Sequence, residues 1–301
     1  MTGATEGDER FIDVRGVRLR AIVDGAGAGE AVMVLHGFTG CAESMESVVP
    51  PLLEEYCVVR LELIGHGESD SPAAGEAYAM SSCADQIAEA ARVLDLERPH
   101  LLGYSMGGRA AIAAAVAHPT QFSSLVLIGA TAGIADSSLR RERILADQAL
   151  ADRIEREGIA VFVDEWMALP IFASQSCLGR EVLERARLQR LRNRAVGLAN
   201  SLRGMGAGAQ EPLLGLLARF AGPVLLVVGE QDAKFREIAA SLEAAFPDAR
   251  TEILEAAGHA AHLEMPDAFG RAVLAFLRRG FVEDRAAGPV GHRPLRRCPG
   301  T

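Results

Sequence analysis

Short strand-like runs, most of them continuously apolar, alternate along this chain with longer helix-like stretches. The strand-like runs fall near 11–15, 17–23, 31–36, 57–62, 99–104, 124–129, 223–229 and 250–254. The helix-like stretches lie between most of them, near 43–55, 81–95, 106–117, 234–246 and 266–279. The first two strands meet around Arg15-Gly16-Val17 and read as a hairpin. The remainder alternates strand with helix, the pattern of an α/β protein with a mostly parallel, doubly wound sheet. That rhythm breaks between 130 and 223, a charged, helix-favouring stretch with the only tryptophan, Trp166. A structureless loop of such length does not suit a compact domain. We therefore expect a helical cap, residues 134–211, inserted after the sixth strand of a core formed by 11–133 and 212–280. Residues 1–10 and 281–301 are expected to be disordered tails, the second rich in Gly, Pro and Arg without apolar periodicity.

The most informative segment is Gly103-Tyr104-Ser105-Met106-Gly107-Gly108-Arg109, between an apolar run and a small-residue helix. A G-x-S-x-G in that setting reads as a nucleophile elbow, a strained turn that lifts one serine hydroxyl above a parallel sheet. Its partners follow in order. The run Pro223–Gly229 ends in Glu230-Gln231-Asp232, and Gly258-His259 follows the next short strand. The order Ser105, Asp232, His259 is that of α/β-hydrolases. In this reading His259 takes the Ser105 proton, and Asp232 fixes the imidazole tautomer. Glu230 and Asp164 are rival acids and His262 a rival base; Asp232 also suits a strand-end cap.

The run Ala31–Leu35 ends in His36-Gly37-Phe38-Thr39-Gly40, the place from which this fold supplies the second oxyanion-hole amide. The donors are expected to be the backbone N–H groups of Phe38 and Met106. His36 reads as a structural loop residue, and Gly65-His66-Gly67-Glu68-Ser69 as scaffold.

Composition narrows the partners. The 301 residues carry a net charge of −9, which disfavours nucleic acid. Five cysteines without metal-ligand spacing suit reduced thiols in the cytoplasm, with no metal site expected. No apolar run reaches the roughly 18–20 residues that span a bilayer, and the polar, acidic N-terminus is unlike a secretory signal.

Together, His36–Gly40, Gly103–Arg109, Gly229–Phe235, Trp166–Pro170, Gly197–Gln210 and Gly258–Glu264 resemble the 2-succinyl-6-hydroxy-2,4-cyclohexadiene-1-carboxylate synthases of menaquinone biosynthesis. The resemblance spans residues 11–279 and implies the α/β-hydrolase fold with its helical cap. It also implies a lyase that eliminates pyruvate from 2-succinyl-5-enolpyruvyl-6-hydroxy-3-cyclohexene-1-carboxylate without metal or organic cofactor, using the Ser105–His259–Asp232 relay as a base. The substrate is a small molecule with three carboxylates, which suits bidentate arginines. Arg109, one helical turn after Ser105, is expected to border the nucleophile. By resemblance, Arg143 and Arg190 are the other carboxylate-binding arginines, although Arg140, Arg141, Arg187, Arg192 and Arg194 crowd the same stretches. Tyr104, Trp166 and Phe172 are expected to line the pocket. Met45, where a tryptophan is expected, and Glu62, in place of an aspartate, depart from the pattern. Two other functions fit the same scaffold: a serine hydrolase of carboxylate-bearing esters or of carbon–carbon bonds, and a non-catalytic ligand receptor.

Overall fold

A computed structural model describes residues 7–25 and 29–286. Eight strands build one sheet: β1 Asp8–Val14, β2 Val17–Asp24, β3 Ala31–Leu35, β4 Cys57–Leu61, β5 His100–Tyr104, β6 Leu125–Ile128, β7 Val224–Gly229 and β8 Ala249–Leu254. Their spatial order is β1-β2-β4-β3-β5-β6-β7-β8. β1 and β2 form a hairpin whose two turn residues, Arg15 and Gly16, both have positive φ, at 49° and 82°. That turn geometry matches the twist of the paired strands. β2 also lies antiparallel to β4, and every neighbouring pair from there to β8 is parallel.

The central strands are continuously apolar because helices cover both faces. On one face Met33 and Leu35 pack with α1 (Met80–Val93) and α2 (Met106–Ala117). On the other, Val32 and Val34 pack with the long C-terminal helix Pro266–Ala286. The chain passes from β3 to β4 on one side, then returns to add β5 on the other. The loops leaving β3 and β5 therefore diverge, which opens a crevice at the carboxyl ends of these two strands.

Between β6 and β7 the chain forms a helical insert: α3 Ser137–Glu157, α4 Ile159–Met167, a 3-10 segment Pro170–Cys177, α5 Arg180–Leu191 and α6 Ala195–Met205. Asp136 starts it by accepting the amides of Ser138 and Leu139, at 2.9 and 2.8 Å, through its side chain. Ile154, Phe162, Val163, Leu198 and Leu202 give the insert a hydrophobic cluster of its own. After β7 come α7 (Ala233–Ala245), β8, a short α8 (Ala261–Glu264) and the C-terminal helix, α9.

Three expectations need correction. The stretch 43–55 is a 3-10 helix, Ala42–Val48, followed by turns. Met45, Val48, Val49 and Leu52 have helical spacing and are buried, but Pro50 and Pro51 lack the N–H groups an α-helix needs. Residues 8–10, assigned to a tail, belong to β1 and pair with 21–23. Helix α9 continues through Ala286, since the first Gly-Pro break is Gly288-Pro289. The tail expectations for 1–6 and 287–301 lie outside the described residues.

Candidate active site

Ser105 follows β5 at the crevice, with φ 50° and ψ −107°. A non-glycine residue holds such a conformation only where its surroundings dictate it. Here the Ser105 amide donates to the Ile128 carbonyl at 2.8 Å, and its carbonyl accepts the Arg109 amide at 3.0 Å. Strand and helix approach so closely that a Cβ on Gly103 would lie 2.4 Å from the Gly107 carbonyl oxygen. Met106 is the first residue of α2, so its amide has no acceptor within the helix.

Asp232 leaves β7 and caps α7, its Oδ1 accepting the Phe235 amide at 3.4 Å. Its Oδ2 accepts from His259 Nδ1 at 2.7 Å, while His259 Nε2 lies 3.2 Å from the Ser105 hydroxyl. With the proton on Nδ1 held by the carboxylate, the Nε2 lone pair faces the serine. Phe235 and Tyr104 flank the imidazole, with ring centroids 4.5 and 5.4 Å away. Asp232 thus serves the helix with one carboxylate oxygen and the imidazole with the other.

The rivals point elsewhere. Glu230 accepts the Ala256 amide, and Asp164 pairs with Arg187. His262 packs against Tyr104, with ring centroids 4.5 Å apart and the planes tilted, and burial pushes its pKa down to about 3.

The loop after β3 brings Phe38 beside Trp166, at 5.2 Å, and Phe162, at 6.2 Å. Trp166 also meets Phe172 at 5.9 Å, and its buried indole N–H has no acceptor among the described residues. His36 lies beneath this loop. Its Nδ1 donates to the Gly37 carbonyl at 2.8 Å, its Nε2 accepts the Leu63 amide at 3.1 Å, and burial lowers its pKa to about 4.

The three expected arginines separate. Arg190 lines a cavity of about 380 Å3 with Phe38, Tyr104 and His262. One of its Nη atoms donates to the Ala186 carbonyl, whereas its buried Nε has no partner among the described residues. Arg109 and Arg143 do not line that cavity, nor do Ser105 and His259. Arg109, 8 % exposed, donates to the Met205 carbonyl at 2.8 Å and to Gln210 Oε1 at 2.9 Å. Burial, then the nearby Arg143 charge, lowers its pKa to about 10. Arg143 itself holds Asp147 at 2.7 Å.

Cys41, Glu43 and Glu62 approach one another among the described residues, but Arg20 already bonds both carboxylates. Burial pushes the Cys41 thiol up to about 12, so this donor set exerts little pull on a cation.

Asn193 and Glu264 escaped the sequence reading. Asn193 joins the insert to the loops after β3 and β4. Glu264 binds the loop that carries His259. Asn193 acts on backbone groups distant in the chain, and such contacts leave no motif; Glu264 closes the Gly258–Glu264 motif itself, on amides six and four residues before it.

A family model described as alpha/beta hydrolase fold matches residues 30–266. A Bacillus subtilis (strain 168) protein provisionally named 2-succinyl-6-hydroxy-2,4-cyclohexadiene-1-carboxylate synthase is 41% identical over 262 residues, covering 87% of this chain and 95% of the relative. The synthase of that name from Serratia proteamaculans (strain 568) is 30% identical over 244 residues, 81% of this chain and 91% of the relative. The solved MenH structure from S. aureus superposes with a TM-score of 0.81 at 30% identity, covering 87% of this chain and 98% of that one. The chain belongs to the alpha/beta hydrolase fold family and, within it, to the 2-succinyl-6-hydroxy-2,4-cyclohexadiene-1-carboxylate synthases.

Proposed function

We propose that this protein is a carbon–oxygen lyase of menaquinone biosynthesis. It eliminates pyruvate from 2-succinyl-5-enolpyruvyl-6-hydroxy-3-cyclohexene-1-carboxylate, yielding 2-succinyl-6-hydroxy-2,4-cyclohexadiene-1-carboxylate. The observation that carries this reading is the continuous Ser105–His259–Asp232 relay, at 3.2 and 2.7 Å, in a chain 41% identical to a relative named for that product.

In this mechanism Ser105 Oγ removes the ring proton at C2, next to the succinyl ketone, as its own proton passes to His259 Nε2. The C2–H electrons form the C2=C3 bond, the ring alkene shifts to C4=C5, and the C5–O bond breaks. The enolpyruvyl oxygen leaves with that electron pair, and reprotonation gives pyruvate. Asp232 stabilises the transient imidazolium. Backbone amides of Phe38 and Met106 face the charge that develops on the ketone oxygen. Residues 134–211 act as the cap over this centre. The unpartnered Arg190 Nε and the Trp166 indole N–H are buried donors available to substrate carboxylates. The relay requires no metal or organic cofactor.

Among the described residues no helix is long and apolar enough to cross a membrane. Cys41 and Cys83, buried and without disulfide bonds, favour a reducing compartment, the cytoplasm.

A serine hydrolase would use the same relay with Ser105 as nucleophile. Pyruvate release from freshly generated substrate, compared among wild type, Ser105→Ala and no enzyme, tests the proposal, with a p-nitrophenyl ester run alongside. Fast, Ser105-dependent pyruvate release with poor ester cleavage is expected. Ester turnover without accelerated pyruvate release would make the protein a hydrolase.

A further inference from the structure

A single buried carboxylate holds the His259 loop from both sides. Glu264 Oε2 accepts the Gly258 amide at 2.6 Å, and Oε1 accepts the Ala260 amide at 3.2 Å. The same Oε1 accepts the Ser174 hydroxyl at 3.1 Å. Ser174 lies in the 3-10 segment Pro170–Cys177 of the helical insert. Contact there is close: a Cβ on Gly258 would lie 2.1 Å from Ser174 Oγ. Two neighbours of Ser174 on the chain, Gln175 and Leu178, line the 380 Å3 cavity, and so do Ala260, His262 and Leu263.

A buried carboxylate is unfavourable unless donors surround it. These three donors are neutral, two amides and a hydroxyl, and only a carboxylate can accept from both ends of the loop at once. A glutamine would turn its NH2 group toward one of the amides, leaving two donors face to face. The arrangement is therefore specific to the acid, and it joins two parts of the molecule: the segment that walls the cavity and the backbone that aims the imidazole.

We infer that Glu264 is a positioning residue, which with Ser174 couples the seating of the 170–177 segment to the alignment of His259 against Asp232 and Ser105. The inference rests on the reading of His259 as the base. Glu264 touches no reacting atom in this scheme; it acts through the Gly258 and Ala260 amides. The cavity wall and the base are thereby held in one register, so a substrate that orders the wall also steadies the base.

The test compares wild type, Glu264→Gln, Glu264→Asp and Ser174→Ala. Three quantities are read: the downfield proton resonance of His259 Nδ1–H bonded to Asp232, amide hydrogen exchange over 170–177 and 256–262, and steady-state pyruvate release. Glu264→Gln should lower kcat by about ten-fold or more, shift or broaden the downfield proton, and speed exchange at Gly258 and Ala260. Glu264→Asp should recover part of kcat. Ser174→Ala should speed exchange over both 170–177 and 256–262, shift or broaden the downfield proton, raise KM several-fold and lower kcat less than Glu264→Gln does. An unaltered downfield proton and kcat in Glu264→Gln would overturn the inference. So would unchanged exchange over 256–262 in Ser174→Ala, a variant that decides the matter even if Glu264→Gln does not fold. Resonance and exchange need no substrate. A wild type that releases no pyruvate would therefore sink the proposed reaction while these two readouts still judge the coupling.

Discussion

Asn193 Nδ2, on the helical insert, donates to the Thr39 carbonyl at 2.8 Å, one residue beyond the proposed oxyanion donor Phe38. The Oδ1 of the same side chain accepts the Gly67 amide at 2.9 Å. One amide side chain thus sets the height of the β3 loop against the β4 turn. Asn193→Ala should leave two buried backbone groups unpaired, costing about 1–3 kcal/mol of stability. It should also lower kcat by freeing the Phe38 amide. Urea unfolding and pyruvate release check the two effects separately; intact kcat with lost stability would confine Asn193 to scaffold.

Asp232→Asn should reduce kcat by a factor on the order of 10^3–10^4, because the amide can leave the imidazole in the wrong tautomer. The helix α7 cap uses the other oxygen, Oδ1, so the melting temperature should move little. A steady-state comparison and a thermal melt suffice.

Arg109 and Arg190 should fail in different ways. Arg109→Met strips a partner from the Met205 carbonyl and Gln210, and each buried orphan costs about 1–3 kcal/mol. Arg190→Met removes a guanidinium whose Nε is unpaired among the described residues. It should melt as wild type does and lose about ten- to a hundred-fold in kcat/KM. Equal loss of stability in both variants would contradict this division.

Acid should destabilise the fold below the ordinary histidine range. Burial lowers the pKa of His36 to about 4, and of His66 and His262 to about 3. In the unfolded chain each takes up a proton near pH 6.5. Between those values the unfolded state binds more protons, so stability is full above about pH 6.5 and falls as pH drops toward 4. The limiting slope is about 1.4 kcal/mol per pH unit for each histidine. Glu43, held down at about 2, adds to the loss below the carboxylate range. Glu62, pushed up by burial, opposes it. Urea midpoints at several pH values between 7 and 4 give the slope, and a flat profile would refute the assignment.

Strands and relay were legible because each rests on local chemistry. Residues 31–35 and 224–229 are apolar throughout since both faces are covered, and Ser105, Asp232 and His259 each follow a strand at a turn. The 43–55 stretch misled for an equally local reason. Its apolar spacing is helical, yet two prolines force the same buried set into turns. The backbone of Arg109 meets Ser105, four positions before it, but the direction of its guanidinium depends on Met205 and Gln210, 96 and 101 residues away. Asn193 answers backbone groups that only the folded chain assembles, and so does the Ser174 hydroxyl that Glu264 meets from 90 residues away.

The separate hydrophobic cluster of the insert, around Ile154, Phe162, Val163 and Leu198, has an evolutionary consequence. Because these side chains mostly satisfy one another, the insert can change length and surface without disturbing the sheet that carries the relay. The restraint falls on the few residues that dock it: Asn193, Ser174 and the partners of Arg109. Grafts that preserve these anchor points should exchange one substrate preference for another on an unchanged chassis.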